Sequence, residues 1–257
     1  MKIILTALSI LIATQADAAC RKALAIGMDV SGSVDAREYS LQYNGLAGAL
    51  ADTTVREALL NFPDIPVELM VFEWSGPEYQ IVVIPWTTIN SAEVLSQTIS
   101  RLKRATELRG NNNSNYVYSG ADVNSRRYRR DPQTAIGNAM LFGSQQLRHR
   151  PCWTQTLDLS GDGVSNLGSQ PQEALARINN PNLTINALAI VSDDASPSPD
   201  AQPDALPLPD YFRREVISGP GSFVEVAKGF ADFQSAMARK LLREVEDIAV
   251  SRLDLKL

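Results

Sequence analysis

The sequence predicts a doubly wound α/β fold: a mostly parallel six-stranded sheet with one antiparallel edge strand and helices on both faces. Three observations carry this. Short apolar runs alternate with longer segments of helical periodicity, the order expected of successive strand–helix–strand units. Two adjacent apolar runs are separated only by Ser75-Gly76-Pro77, so they read as a hairpin and supply the antiparallel edge. The chain has 257 residues, 44% of them hydrophobic, which is long enough to bury a large core and too apolar for a disordered chain.

The elements follow in order. Residues 23–30 (ALAIGMDV) form an apolar run ending at Asp29, suited to a strand buried on both faces. Residues 34–60 carry Leu41, Leu46, Leu50 and Leu59 at helical spacing and stop before Pro63 and Pro66, which predicts one helix. Residues 67–74 and 79–86 are the hairpin strands. Residues 91–104 are helical, with Ser91 as the cap and Glu93 in the first turn. Residues 134–148 predict a helix, 154–159 a strand running into Ser160-Gly161-Asp162-Gly163, 171–178 a helix and 184–191 a strand. A short helix at 211–217, a strand at 222–226 and a closing helix at 230–250 complete the chain. Phe233, Met237, Leu241, Val245 and Ile248 share one face of that last helix. Two long loops interrupt the pattern. Residues 108–132 are polar and aperiodic, and residues 193–209 contain five prolines.

The amino terminus is read as an address. Lys2 precedes an apolar run over residues 3–12, and Ala16-Asp17-Ala18 is a small-x-small exit. This describes a signal peptide at 1–18, cleaved near Ala18. The apolar run is too short to span a bilayer, and a buried N-terminal helix is the alternative. A single domain at 19–257 is then exported to the periplasm or beyond, with no transmembrane segment. Lipid anchoring at Cys20 is disfavoured, because Asp17 stands where a lipidation signal carries Leu.

Composition narrows the chemistry. The net charge of −5 gives no basis for nucleic-acid binding. One region departs from this: residues 101–130 hold eight Lys/Arg against two Asp/Glu. It reads as a solvated charge run or as a docking surface for an acidic partner. One His and two Cys are too few for a typical zinc site, so a bound metal is expected to be held by oxygen. Asp29-Val30-Ser31-Gly32-Ser33 ends the first strand, the position where open α/β sheets bind ligands. Asp29, Ser31 and Ser33 alternate there. Thr134 opens a helix and Asp162 ends another strand, giving two carboxylates and three hydroxyls. Such hard, weakly charged donors suit Mg2+, with Mn2+ or Ca2+ as substitutes. Singly, each residue is equally well a cap or turn residue.

The pattern Asp29-x-Ser31-x-Ser33, then Thr134, then Asp162-Gly163, resembles the metal-ion-dependent adhesion site of von Willebrand factor type A domains. The strand and helix order resembles that fold as well. The wording MDVSGSVD, VFEWSG, TAIGNA, DLSGDGVSN and YFRREVISGPGSF also resembles an exported bacterial family of unknown function that carries this domain. The resemblance implies that Ser31, Ser33 and Thr134 bind metal through hydroxyls. Asp29 and Asp162 would hold it directly or through water. An acidic residue of a protein or peptide ligand would complete the shell. The chain is then a monomeric binding module and not an enzyme.

In that topology the first strand and the strand ending at Asp162 are parallel neighbours. Cys20 lies nine residues before Asp29 and Cys152 ten before Asp162, which brings both to the opposite rim and predicts a disulfide. Two free thiols are the alternative.

Two enzymatic readings compete. A Mg2+-dependent phosphatase of the haloacid-dehalogenase type also places Asp at the first strand end, but its general acid falls at Ser31, which cannot serve. A serine hydrolase requires His149, placed at the far end of a helix. A metal-free scaffold is the remaining alternative.

Overall fold

Strand β1 (Cys20–Asp29) is buried at every position and runs through the centre of the sheet. The computed structural model describes residues 20–110, 116–117, 128–129, 132–191 and 206–253. The signal peptide read at 1–18 lies outside these, as do most of the two segments read as long loops.

After β1 come helices α1 (Ala36–Ala51) and α2 (Thr53–Leu60), strands β2 (Val67–Trp74) and β3 (Gln80–Ile89), and helix α3 (Ala92–Gly110). A two-residue antiparallel pair follows, β4 (Tyr116–Val117) with β5 (Tyr128–Arg129). Then come α4 (Ile136–Leu147), β6 (Cys152–Gly161), α5 (Pro171–Arg177), β7 (Leu183–Val191), α6 (Leu208–Tyr211), β8 (Val224–Lys228) and α7 (Phe233–Leu253). The main sheet has the order β3-β2-β1-β6-β7-β8. All neighbours are parallel except β2 and β3, so β3 is the antiparallel edge. Pro85 is tolerated because an edge strand leaves one side unpaired.

The helices cover both faces. Leu24, Ile26 and Met28 point toward α1, α3 and α7, where they meet Leu46, Leu50, Leu95, Met237 and Leu241. Ala23, Ala25, Leu157 and Leu159 point the other way, toward Ile136, Met140, Ala174 and Phe212.

Three departures from the sequence expectation have local causes. The single helix read over 34–60 is two helices. The Asp52 carboxylate accepts from Thr54 N (2.9 Å) and Val55 N (3.2 Å), so it caps α2 and interrupts the run. Thr134 precedes α4 instead of opening it. The segment read as a short helix over 211–217 is α6 followed by a π-helical turn, Phe212–Val216. Elsewhere the caps are as expected: Val94 N donates to Ser91 Oγ at 3.2 Å.

At the amino-terminal rim, Cys20 pairs with Cys152 in the β1–β6 register, and the two form a disulfide with Cα atoms 4.6 Å apart. Under α7, Lys240 Nζ lies 2.8 Å from Asp158 Oδ1 and 2.6 Å from Glu244 Oε1, all three side chains fully or almost fully buried. Among the described residues no helix is long and apolar enough to cross a membrane.

Candidate metal site at the carboxyl edge of the sheet

The strand order reverses between β1 and β6, since the chain passes from β1 outward to β2 and later returns to β6 on the other side. That reversal opens a crevice at the carboxyl ends of the two strands. Asp29 ends β1 and Asp162 follows β6 there, so the topology brings together carboxylates far apart in sequence.

The first loop is tightly ordered. Ser31 N donates to Asp29 Oδ1 at 2.8 Å, and the Ser31 and Ser33 hydroxyls lie 3.3 Å apart. The Ser33 hydroxyl donates to Asp162 Oδ1 at 2.7 Å. Asp29 is thus not a helix cap. That role falls to Asp35, whose carboxylate accepts from Glu38 N (2.8 Å) while Glu38 Oε2 accepts from Asp35 N (2.9 Å).

Thr134 is almost completely buried and is held from two sides. Gly32 N donates to Pro132 O at 3.0 Å, tying the Thr134 segment to the Asp29 loop. A Cβ at Gly32 would come within 2.9 Å of Pro132, so glycine is what permits that approach. On the other side, Thr134 N donates to Asn166 Oδ1 (2.8 Å) and Asn166 N donates back to Thr134 O (2.9 Å). Ser165 in the same loop donates its N–H to the Tyr211 hydroxyl at 3.2 Å. The structure therefore joins Asp29, Ser31, Ser33 and Asp162 through direct contacts. Thr134 is fixed beside them through the backbone of both loops. Asn166 and Tyr211 were not singled out from sequence. Both lie in segments that carry the family resemblance, DLSGDGVSN and YFRREVISGPGSF.

Hydrogen bonds from Ser31, Ser33 and the Asp162 backbone only partly offset the charge buried in the crevice. Asp29 is fully buried, and its Oδ2 has no hydrogen-bond partner. Burial, reinforced by the charge on Asp162, pushes its carboxyl up to about 7. Burial also raises Asp162. Gly161 passes close by: a Cβ there would meet Asp29 Oδ2 at 3.2 Å. An orphaned buried carboxylate oxygen, a second carboxylate and two hydroxyls form a donor set that fits a hard divalent cation.

The catalytic alternatives gain nothing from this geometry. His149 is exposed in the turn after α4, at the opposite end of the sheet. Ser31 occupies the position where a dehalogenase-type phosphatase needs an acid.

This arrangement is the von Willebrand factor type A fold, and solved structures support the assignment. The chain is similar to proximal thread matrix protein 1 from the mussel byssus in a form with a zinc-occupied adhesion motif. The TM-score is 0.52 at 14% identity, covering 91% of this chain and 49% of that one. It is similar to BatB, a conserved hypothetical protein from Bacteroides thetaiotaomicron (TM-score 0.54, 13% identity, 89% and 99% covered). It is also similar to the pilus adhesin SpaC from Lactobacillus rhamnosus GG (TM-score 0.53, 14% identity, 89% and 30% covered). The chain spans about half the length of the mussel protein and about a third of SpaC. The mussel protein and SpaC are named as a matrix protein and an adhesin, not as enzymes. No curated protein matches. The family model for DUF1194, described as a protein of unknown function, matches residues 19–116 and 111–249, and the chain belongs to that family.

Proposed function

We propose that this protein is an exported, non-enzymatic binding module that recognises an acidic group of a protein or peptide ligand through a divalent cation. The observation that carries the reading is the buried, unpartnered Oδ2 of Asp29 beside Ser31, Ser33 and Asp162. Ser31, Ser33 and Thr134 would hold the ion through hydroxyl oxygens, with Asp29 and Asp162 supplying the charge. Mg2+ suits these donors best, with Mn2+ and Ca2+ as substitutes; Zn2+ enters as a comparison because the mussel protein carries it. A bound cation supplies an electrophilic position for an external carboxylate. The chain's own part is to hold its oxygens rigidly: Ser33 is fixed by Asp162, Ser31 by Asp29, and Thr134 by Asn166.

Export is supported by the leader read at 1–18 and by the disulfide, a bond that persists in oxidising compartments. We take the mature chain to act as a monomer.

Calorimetric titration with Mg2+, Mn2+, Ca2+ and Zn2+ tests the site. Wild type binds at least one ion and Asp29→Ala binds none. No binding by wild type overturns metal dependence, and equal binding by both overturns the residue assignment. Capture of acidic peptides with and without EDTA then tests the ligand class.

A further inference from the structure

The loop after β6 begins at Asp162 and reads Gly163-Val164-Ser165-Asn166-Leu167-Gly168 beyond it, so it borders the candidate metal site. Its polar groups are spent on the protein. Ser165 N donates to the Tyr211 hydroxyl at 3.2 Å, and Ser165 Oγ donates to Thr134 O at 3.3 Å. Asn166 exchanges two bonds with Thr134, and Ser169 N donates to Asn138 Oδ1 at 2.9 Å. The apolar side chains of the loop are turned outward instead. Val164 is 47% exposed and Leu167 43%. Five large hydrophobic side chains are exposed by more than a third among the described residues, and two of them share this loop.

Apolar residues scattered singly over a surface are ordinary. These two sit on a loop whose path is fixed by its bonds to Thr134, Asn138 and Tyr211, so they are held in water beside the site. The ground between Asp162 and Val164 is open, since a Cβ at Gly163 would meet no atom within 4 Å. Two backbone steps put the Val164 Cα within about 7.6 Å of the Asp162 Cα. No residue from 163 to 169 is charged.

We infer that Val164 and Leu167 form an apolar shelf beside the cation, and that the ligand is an extended peptide segment with a branched apolar side chain two residues from its acidic one. The inference rests on the cation-binding reading above and names the ligand of that same site. The cation takes the carboxylate. The shelf, without a charge of its own, takes the apolar side chain. Alternate side chains of an extended segment project to one side about 6.7 Å apart, which matches the step from Asp162 to Val164. A shelf already fixed in place costs little to order on binding, so the apolar area covered there is realised as affinity.

The test uses the mature chain with whichever of Mg2+, Mn2+, Ca2+ or Zn2+ it binds most tightly. The probes are three blocked pentapeptides: Leu-Gly-Asp-Gly-Leu, which offers the apolar residue on either side of the acid, Ser-Gly-Asp-Gly-Ser and Leu-Gly-Asn-Gly-Leu. Titration followed by NMR should give the first a Kd below about 5 mM. It should bind about tenfold more tightly than either of the others. Val164→Ser and Leu167→Ser should each reduce the preference for Leu over Ser about threefold, and the double variant should abolish it. Both side chains are exposed, so these variants should fold and bind the ion itself as wild type does. If the ion binds but the Leu and Ser peptides bind alike, if the Leu-Asp peptide stays above that Kd, or if the double variant keeps the preference, the shelf is overturned and the cation site stands. If wild type binds no ion, the cation site is overturned and the shelf with it.

Discussion

The Ser33 hydroxyl donates to Asp162 Oδ1 across 2.7 Å, joining two loops 129 residues apart in sequence. It ties the loop after β1 to the loop after β6. Ser33→Ala removes the link and one of the candidate ligands together. Its loss should weaken divalent-cation binding by at least tenfold, the usual scale for a ligand or its support. Ser33 is exposed, so the fold itself should lose no more than about 1 kcal/mol. Calorimetry with Mn2+ and urea unfolding of the same sample separate the two effects.

Asp29 makes stability depend on pH in an unusual direction. Its folded carboxyl titrates at about 7, far above its ordinary value of 3.8. The folded state therefore holds a proton over that interval that the unfolded state has released. Its contribution is fully present below pH ~4 and is lost as pH rises through ~7. In EDTA, Tm should fall between pH ~5 and pH ~7.5, with up to a few kcal/mol at stake. Asp29→Asn should flatten part of that slope. Asp158, also raised to about 7 chiefly by burial, and Asp162, raised by burial, keep the remainder. A saturating divalent cation should flatten it as well, because it stabilises the ionised form. Differential scanning calorimetry across pH, with and without the ion, reads all three.

The buried trio under α7 should be fragile to loss of its cation. Lys240 sits between Asp158 and Glu244, with 0% of its side chain exposed. Lys240→Met leaves two buried carboxylates without the charge that offsets them, and breaking such a set costs about 3–5 kcal/mol. The variant carrying Asp158→Asn as well should recover part of that loss. Equal urea midpoints for the single and double variants would show the two residues to be uncoupled.

Much of this molecule was legible in its sequence, and the reasons are specific. Strand β2 begins and ends where VELMVFEW does, because an apolar run bounded by Pro66 and a Ser-Gly-Pro turn leaves little choice of register. The Cys20–Cys152 bond followed from one topological step, that β1 and β6 are parallel neighbours whose ends are fixed by Asp29 and Asp162. The break between α1 and α2 was missed because apolar periodicity continues across it. The cap at Asp52 is a local hydrogen-bonding choice that periodicity does not register. The surroundings of Thr134 were harder still. Asn166 and Tyr211 act through hydrogen bonds to residues 32 and 46 positions away in sequence, which no spacing rule announces.

The disulfide should account for a sizeable share of stability. It closes a loop of 132 residues between strands already held by the sheet ladder. Chain entropy assigns such a loop about 5 kcal/mol, and measured losses are commonly 2–5 kcal/mol. Cys20→Ser with Cys152→Ser should lower the urea midpoint accordingly. The carboxyl edge lies at the far end of both strands, so cation affinity should change less than threefold, about 0.7 kcal/mol. Thiol counting on the denatured, unreduced wild type should find none among the two cysteines.

Asn166→Ala tests whether Thr134 belongs to the site. The Asn166 side chain accepts from Thr134 N, while its backbone N–H returns a bond to Thr134 O, so the two residues are clamped face to face. The substitution removes the side-chain half and leaves the backbone half. A nearly buried N–H then loses its acceptor, at about 1–3 kcal/mol. If Thr134 Oγ1 is a ligand, loosening its backbone should also lower divalent-cation affinity about 10- to 100-fold, as loss of an outer support does. Thr134→Val should then reproduce the affinity loss, because it keeps the shape and removes the oxygen. Thr134→Ser should restore it, since the hydroxyl survives. An affinity unchanged in Thr134→Val would place Thr134 outside the coordination shell and leave Asn166 a purely structural clamp.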